Sequence, residues 1–347
     1  MTTATTELPS LPFIKHSRSQ RTVSPATASS LDAPEHNLAP RAAARSRIGV
    51  APTPFLRICT FGRFDVSMSA AGGARSPVWG NEQTRVLLKC LLAAPRYRLA
   101  REQVIEYMWP GQSGTQGRDA LRHTLSRLRR VLEPGRSAYG DSAVIGSSRE
   151  EVWLNVEPQD DATSPLWVDR FHFERDTRDA LDVLLRHTPD AAGMGERLGE
   201  RALALYAGPF LPADVYADWA QDARARCQRL WGALTRALAD HAAVQHRFEH
   251  ALLLLAELFA ALPADEDAAA RLMRVQAASG HRAEALRTYE IVCAQLDADL
   301  GARPTRELKD LSHTIRTSES QQELQRLILS EERSHPSSPI ASLMSMP

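Results

Sequence analysis

A leucine stripe in the stretch RDALRHTLSRLRRVLEPG, residues 118–135, constrains the fold of this chain more than any other feature. Its members recur at spacings of four and three residues: Leu121, Leu125, Leu128 and Leu132. This spacing predicts a helix over residues 118–132 with one buried face. The opposite face carries arginine, histidine and serine. A helix that is held by a core on one side and offers hydrogen-bond donors on the other is able to enter the major groove of DNA.

The segments around this helix predict a small domain with both helices and strands. Helical patterns cover residues 84–94 and 101–109, and alternating apolar residues around Gly62 predict a small N-terminal sheet, followed by a loop at 70–77. After the basic helix, two apolar stretches flank residues 146–151 and predict a hairpin. Strands, three helices and a hairpin in this order favour a winged helix-turn-helix, of mixed α and β structure, at residues 55–158.

The exposed face of the basic helix and the tip of the hairpin supply the candidate DNA contacts. These are Arg118, Arg122, His123, Ser126, Arg127, Arg129, Arg130 and, at the hairpin tip, Arg149. We expect Arg127 to bind a guanine edge, Arg122 and Arg130 to bind phosphates, and Arg149 to reach the minor groove. Residues 55–156 contain fifteen basic and nine acidic residues, which suits a polyanionic partner. The alternatives remain a solvated basic face and an ordinary exposed turn residue.

The second half of the chain has an almost wholly helical pattern from residue 167 to residue 316. The pairs Ala251-Leu252 and Ala285-Leu286 lie 34 residues apart, which is the tetratricopeptide period, and predict equivalent helices at 247–262 and 282–297. An acidic linker is expected at 159–166. The predicted fold class is therefore mainly α: the winged helix-turn-helix followed by an all-α tetratricopeptide-like repeat domain.

The remaining composition bears on location and on the two tails. Residues 1–54 and 317–347 lack core-forming residues and are expected to be disordered, apart from a short amphipathic helix at 321–332. The four cysteines fit no CxxC pattern and are expected to be buried free thiols. The sequence shows no secretory signal and no apolar run of about 20 residues. We therefore expect a cytoplasmic, nucleoid-associated protein with no membrane partner.

Enzymatic interpretations find little support in the motifs. His246, Glu249 and His250 match the HxxEH pattern of inverted zinc peptidases, but His246 falls where the first repeat should turn between its helices. Structural histidines are favoured over a zinc hydrolase, although that hypothesis stays open to test. GxGxxG, Walker and GxSxG motifs are absent from the sequence. We expect no enzyme, no catalytic residues, no cofactor and no metal site.

A series of motifs in order along the chain resembles one family of bacterial regulators. FGRFDV, LAREQVIEYMWPG, ALRHTLSRLRRVLEPG and VWLNV are similar to an OmpR-type winged helix. WVDRFHF, LALYAGPFLP, ASGHRAEALRTYE and LDADLGARPTRELKDL resemble the bacterial transcriptional activator domain. Together, over about residues 55–316, they resemble the Streptomyces-antibiotic-regulatory-protein-type activators. The segment Asn81–Gln83 is less basic than is usual there. Because these motifs include neither a receiver nor a nucleotide-binding domain, we expect no switch of either kind.

The resemblance implies sequence-specific binding to double-stranded DNA at direct repeats near promoters, contact with RNA polymerase, and activation of transcription. In OmpR-type regulators the loop before the recognition helix contacts polymerase, which here points to the polar loop 111–117. Its candidate contact residues are Gln112, Ser113, Thr115 and Gln116. We also expect that two copies of the chain bind DNA as a homodimer. The alternative is a repeat-based interaction adaptor whose winged helix docks protein instead of DNA.

Overall fold

The helices and strands of the chain were located in a computed structural model. It describes residues 56–70, 73–112, 114–135, 141–156, 165–185 and 189–318, together with Ser320 and Gln322. These residues contain ten α-helices and two small sheets and lie in one unit of the structure. The tail expected at 1–54, most of the tail at 317–347 with its short helix, and most of the linker at 159–166 lie outside the described residues.

The first sheet combines three strands from the start of the winged-helix segment with one strand that follows this segment. Its strands are β1 (Leu56–Cys59), β2 (Asp65–Ala70), β3 (Gly73–Arg75) and β7 (Leu166–Val168), in the spatial order β3-β2-β1-β7. Strands β1 and β2 are the predicted antiparallel pair. The prediction of a loop at 70–77 was wrong in part, since this segment contains β3. The predicted linker ends at residue 166, which is the first residue of β7. Strand β7 pairs in parallel with β1, because Leu166 and Val168 complete its buried apolar face.

The predicted winged helix is confirmed. Its elements are α1 (Glu82–Ala93), β4 (Arg98–Ala100), α2 (Arg101–Met108), α3 (Thr115–Leu132), β5 (Ile145–Ser147) and β6 (Glu151–Leu154). The second sheet has the order β4-β6-β5, and β5 and β6 are the predicted hairpin. The less basic segment before α1 has a local role, since Asn81 caps the helix by accepting a hydrogen bond from the backbone N–H of Thr84 at 3.0 Å.

The rest of the described chain is a series of helices that pack on their neighbours in sequence. They are α4 (Asp169–Leu185), α5 (Pro189–Leu203), α6 (Asp218–Val244), α7 (Phe248–Ala261), α8 (Glu266–Ala278), α9 (Arg282–Leu300) and α10 (Arg306–Thr317). Helices α7 and α9 confirm the helices predicted at 247–262 and 282–297. None of the described helices is both long and apolar enough to cross a membrane.

The 34-residue repeat is confirmed in the backbone of the two turns that join α6 to α7 and α8 to α9. His246 and Gly280 hold the same place in these turns, and both have positive φ, 59° and 91°. The N–H of Arg247 donates to the carbonyl of Ala242 at 2.9 Å, and His281, 34 residues later, donates to Gln276 at 2.8 Å. These matching hydrogen bonds show that α6–α7 and α8–α9 are equivalent helical pairs.

A buried polar cluster joins the winged-helix part, residues 56–156, to the helical part, residues 165–318. The carboxylate of Asp169, at the start of α4, accepts hydrogen bonds from the backbone N–H of Thr60 at 2.5 Å, its hydroxyl at 2.7 Å and the N–H of Phe61 at 3.1 Å. Arg170 donates to the carbonyl of Leu92 in α1 and to Glu174 at 2.9 Å. All of these groups are buried, so the two parts share a core instead of being separated by solvent.

A second buried contact fixes α1 against the turn that precedes α6. The ammonium of Lys89 lies 2.8 Å from the carboxylate of Asp214, and the lysine side chain is only 4% exposed. A buried charge of this kind is stable only when it has its partner. Phe61 adds apolar contact, since its ring packs on those of Phe173, Tyr206 and Phe210 at centroid distances of 4.9–6.3 Å.

We predict that Asp169→Ala lowers the free energy of unfolding by at least about 2 kcal/mol, because it removes the acceptor of four buried donors: the backbone N–H groups of Thr60, Phe61 and Arg170 and the hydroxyl of Thr60. Unfolding curves in urea, followed by circular dichroism, measure this change. Asp222→Ala on the exposed face of α6 is the matched control and should stay within about 0.5 kcal/mol of the wild type. Equal stability of the two variants would contradict the role of Asp169 at the junction.

Candidate nucleic-acid interface

Helix α3 is fixed by its leucine stripe and exposes its basic face. The four leucines are at most 3% exposed and lie in the core of the winged helix. The predicted contact residues on the other side are exposed, in agreement with the helical spacing: Arg118, Arg122, His123, Ser126, Arg127 and Arg130. The sequence therefore brings six of the seven predicted α3 residues to one accessible surface. We call this surface the basic face.

The seventh residue, Arg129, supports the hairpin. Its guanidinium donates to the carbonyl of Ile145 at 3.2 Å and to the hydroxyl of Ser147 at 2.7 Å, both on β5. The position was foreseeable from the spacing, because Arg129 lies four residues after Leu125 and three before Leu132. It therefore borders the buried stripe, where its side chain reaches the hairpin.

The hairpin, which we call the wing, is held at its tip by α2. The side chain of Arg101 donates to the carbonyl of Ser148 at 2.9 Å, and its backbone N–H donates to Glu150 at 2.8 Å. Ser148 closes the turn by accepting from the backbone N–H groups of Glu150 and Glu151 at 3.1 and 3.0 Å. Arg149 is exposed at this tip, as predicted. Sequence reasoning missed Arg101, because its partner lies 47 residues away and no local pattern marks it.

A further support of the wing involves Arg98 on β4. Its guanidinium pairs with Glu151 at 2.8 Å and lies over the ring of Trp153, 4.7 Å from the ring centroid. Gly146 permits close packing of the same tryptophan, since a Cβ atom there would lie 2.1 Å from the indole ring. Side chains of α2, α3 and β4 therefore contact the wing and hold its backbone in place. This fixes the position of the turn that carries Arg149.

The charges of the basic face are only partly neutralised. Arg122 pairs with Asp119 at 3.1 Å, but both side chains are largely exposed, so this contact contributes little and can give way to a phosphate. Arg127 and Arg130 form no ion pair within the described part of the chain. Cations that are exposed and without an acidic partner are available to an anionic ligand.

The segment before α3 differs from the expected seven-residue loop. Helix α3 begins at Thr115, so Thr115, Gln116 and Gly117 are helical, and the prediction of a loop over 111–117 was wrong for these three. Gly117 is buried where α2 crosses α3: a Cβ atom there would lie 2.6 Å from Cγ2 of Ile105. The glycine therefore serves close helix packing instead of backbone mobility. Gln112, Thr115 and Gln116 are exposed, and Ser113 lies outside the described residues.

The HxxEH residues do not form the arrangement that the motif requires. His246 occupies the turn between α6 and α7 with left-handed backbone, whereas Glu249 and His250 lie in the first turn of α7. The two histidines therefore do not share one helical face, which a two-histidine zinc site on a helix needs.

The expectation that all four cysteines are buried holds for only two of them. Burial raises the pKa of the Cys90 and Cys227 thiols to about 12, so both stay protonated and unreactive at neutral pH. Cys59 and Cys293 are half-buried.

Comparison with known proteins gives a matching family model, a similar curated protein and a solved structure of similar fold. Residues 168–316 match the bacterial transcriptional activator domain. The chain is 30% identical over 238 residues to the regulatory protein AfsR of Streptomyces coelicolor; the match covers 68% of this chain and 22% of AfsR. Its fold is similar to that of EmbR from Mycobacterium tuberculosis, solved in complex with a low-affinity phosphopeptide, with a TM-score of 0.61 and 19% identity over 81% of this chain and 69% of that one. The chain thus spans about a fifth of the length of AfsR.

We predict that Gly117→Ala destabilises the winged helix. The added methyl group meets the stiff, branched side chain of Ile105, and overpacking of this kind costs about 1–3 kcal/mol. A gain in helix propensity of up to about 1 kcal/mol offsets only part of that cost. Thermal melts of the purified protein measure the effect. Gly135→Ala, which has open space around it, is the control and should change the melting temperature little; a melting temperature equal to the control's would contradict the tight crossing.

Proposed function

Since the chain belongs to the Streptomyces-antibiotic-regulatory-protein-type transcriptional regulators, we propose that it binds double-stranded DNA through α3 and the wing. The basic face is the observation that carries this proposal. It presents donors on a helix whose other side is held by a core, and a braced hairpin with an exposed arginine stands beside it. This combination suits a helix in the major groove and a wing over the adjacent minor groove.

The position of each residue on the basic face determines whether we assign it to a base edge or to a phosphate. Arg127 lies near the centre of the exposed face and is assigned to a base edge, for which a bidentate guanidinium is suited. Arg130, three residues later, and Arg122, five residues earlier, are assigned to phosphates, with Arg118 near the start of the helix. Arg129 acts through the wing that it supports. His123 and Ser126 supply further donors.

Activation of transcription through RNA polymerase forms the second part of the proposal. Gln112, Thr115 and Gln116 are exposed around the start of α3, next to the surface proposed for DNA. Their side chains carry no part of the core, so they are available to a neighbouring protein. Binding as a homodimer at direct repeats is the arrangement that the family resemblance favours.

We predict different losses for two arginines of the basic face. Arg127→Ala should lower the preference for the specific site by about 1–3 kcal/mol, whereas Arg130→Ala should weaken binding to specific and random DNA about equally. Arg130→Ala should also reduce the salt dependence by about one phosphate contact. Gel shifts over a range of salt concentrations, on an operator found by sequencing DNA crosslinked to the protein, measure both effects.

The control for these variants is Arg303→Ala, an exposed arginine just before α10. It should leave the affinity for both kinds of DNA unchanged. An equal loss on specific and random DNA for Arg127→Ala would show that this residue does not read bases. Failure of the wild type to bind DNA above background would favour the adaptor function instead.

We predict that replacing Gln112 and Gln116 together by Ala leaves operator affinity unchanged and lowers transcription from a target promoter. Both side chains are exposed and uncharged and precede the first arginine of the basic face, so their loss should affect a protein contact and not DNA binding. Transcription is measured with purified RNA polymerase, and operator affinity is measured by gel shifts of the same protein preparation. Full transcription by this variant would move the polymerase contact to the helical part.

A further inference from the structure

A group of potential metal ligands lies between α5 and α7, away from the basic face. Glu196 and Glu200 are one helical turn apart on α5, and His250 lies near the start of α7. One ligand atom from each residue lies within 4.8 Å of the others. Around a tetrahedral zinc ion, with bonds of about 2.0–2.1 Å, ligand atoms are about 3.3 Å apart. The three side chains therefore need to move by only about 1–2 Å to bind one ion.

A third helix places another imidazole beside one member of this group, Glu196. Nε2 of His241, on α6, lies 3.8 Å from Oε2 of Glu196. These two side chains are 15% and 19% exposed, so they are largely screened from water. Two imidazoles and two carboxylates on three helices are a donor set for zinc and similar first-row cations, whereas Mg²⁺ and Ca²⁺ are bound by oxygen ligands. We propose that Glu196, Glu200, His241 and His250 bind one divalent transition-metal ion of the zinc type.

The ion has to compete with contacts that these residues make in its absence. The guanidinium of Arg247 lies 2.6 Å from Oε1 of Glu196, and the side chain of Gln245 contacts Nε2 of His241 at 2.8 Å. Both competing residues belong to the turn between α6 and α7 and are at least partly exposed, so they can swing into solvent. This salt bridge is only partly exposed, since the side chains of Arg247 and Glu196 are 38% and 19% exposed. The binding free energy of structural zinc, about 10–16 kcal/mol in zinc-finger peptides, is large enough to displace it.

This site differs from the HxxEH hypothesis in its ligands and its role. His250 is common to both, but its partners here come from α5 and α6, while His246 packs its ring on Phe248, 5.7 Å away between centroids. An ion held by side chains of three helices acts as a clamp. It would stabilise the contact of α5 with the repeats, and α5 packs on α4, which carries Asp169 at the junction.

Zinc binding to the full chain is the test. We expect one zinc per chain in titration calorimetry, and a rise in melting temperature of about 5 °C or more when zinc exceeds its dissociation constant a hundredfold. Glu200→Gln and His250→Asn should each weaken binding at least about tenfold, since the loss of even an outer partner costs 10–100-fold. Arg247→Ala should tighten binding by up to about fivefold, because it removes the competing cation.

Two control variants separate this site from the sequence motif. His246→Asn and Glu249→Gln should bind zinc like the wild type. Absence of stoichiometric zinc binding by the wild type, or unchanged binding by Glu200→Gln, would overturn the proposal. Loss of binding in the two controls with retention in Glu200→Gln would also overturn it and favour the HxxEH site. If His250→Asn fails to fold, Glu200→Gln decides alone, because Glu200 is exposed and its replacement leaves the core intact.

Discussion

The carboxylate of Asp169 holds together the two parts of this chain, because it is the acceptor for three buried donors of the segment after β1. Without it, Thr60 and Phe61 would have to bury polar groups unpaired, and the first sheet would lose its contact with α4. Strand β7 precedes Asp169 directly and completes the same sheet. The winged helix therefore depends on residues beyond its own end, because β7 and Asp169 pack on strand β1 and the segment after it, more than a hundred positions earlier in the chain. A truncation after residue 160 would remove part of its fold along with the helical part.

This junction also fixes where α3 can point. Helix α1 contacts α3 on one side and α6 on the other, and its buried Lys89 pairs with Asp214 before α6. Arg170 binds the last turn of α1 through the carbonyl of Leu92. A movement of α3 relative to the repeats would break these buried polar contacts together, at a cost of several kcal/mol. These contacts therefore fix the position of the basic face relative to the helical part. A partner bound to one of the two surfaces is held at a constant distance from the other surface.

Periodicity predicted those features that depend on local spacing. The leucine stripe of α3, the hairpin and the 34-residue offset of Ala251 and Ala285 each have a signal within one or two helices, and all three were confirmed. Long-range partners left no such signal. The three residues of β7 carry too little pattern to predict a strand, so the sequence divides them between the linker and the helical domain. Gly117 is typical of a loop, and only the approach of Ile105 explains a glycine there. For Arg129 the helical spacing predicts a place at the border of the leucine stripe, but its partners on β5 lie 16 and 18 residues away and have no signal in the sequence.

The distribution of exposed apolar residues bears on the choice between a DNA-binding winged helix and one that docks protein. The centre of a protein–protein interface is depleted of charge and rich in apolar groups. Among the described residues, α3 and the wing expose no large hydrophobic side chain; Tyr107 and Val78 are exposed elsewhere in the winged-helix part. The repeats, in contrast, expose Val244, Leu253 and Ile291. Arginine-rich and without apolar groups, the basic face is suited to phosphates and base edges, while a protein partner would find apolar contacts on the helical part.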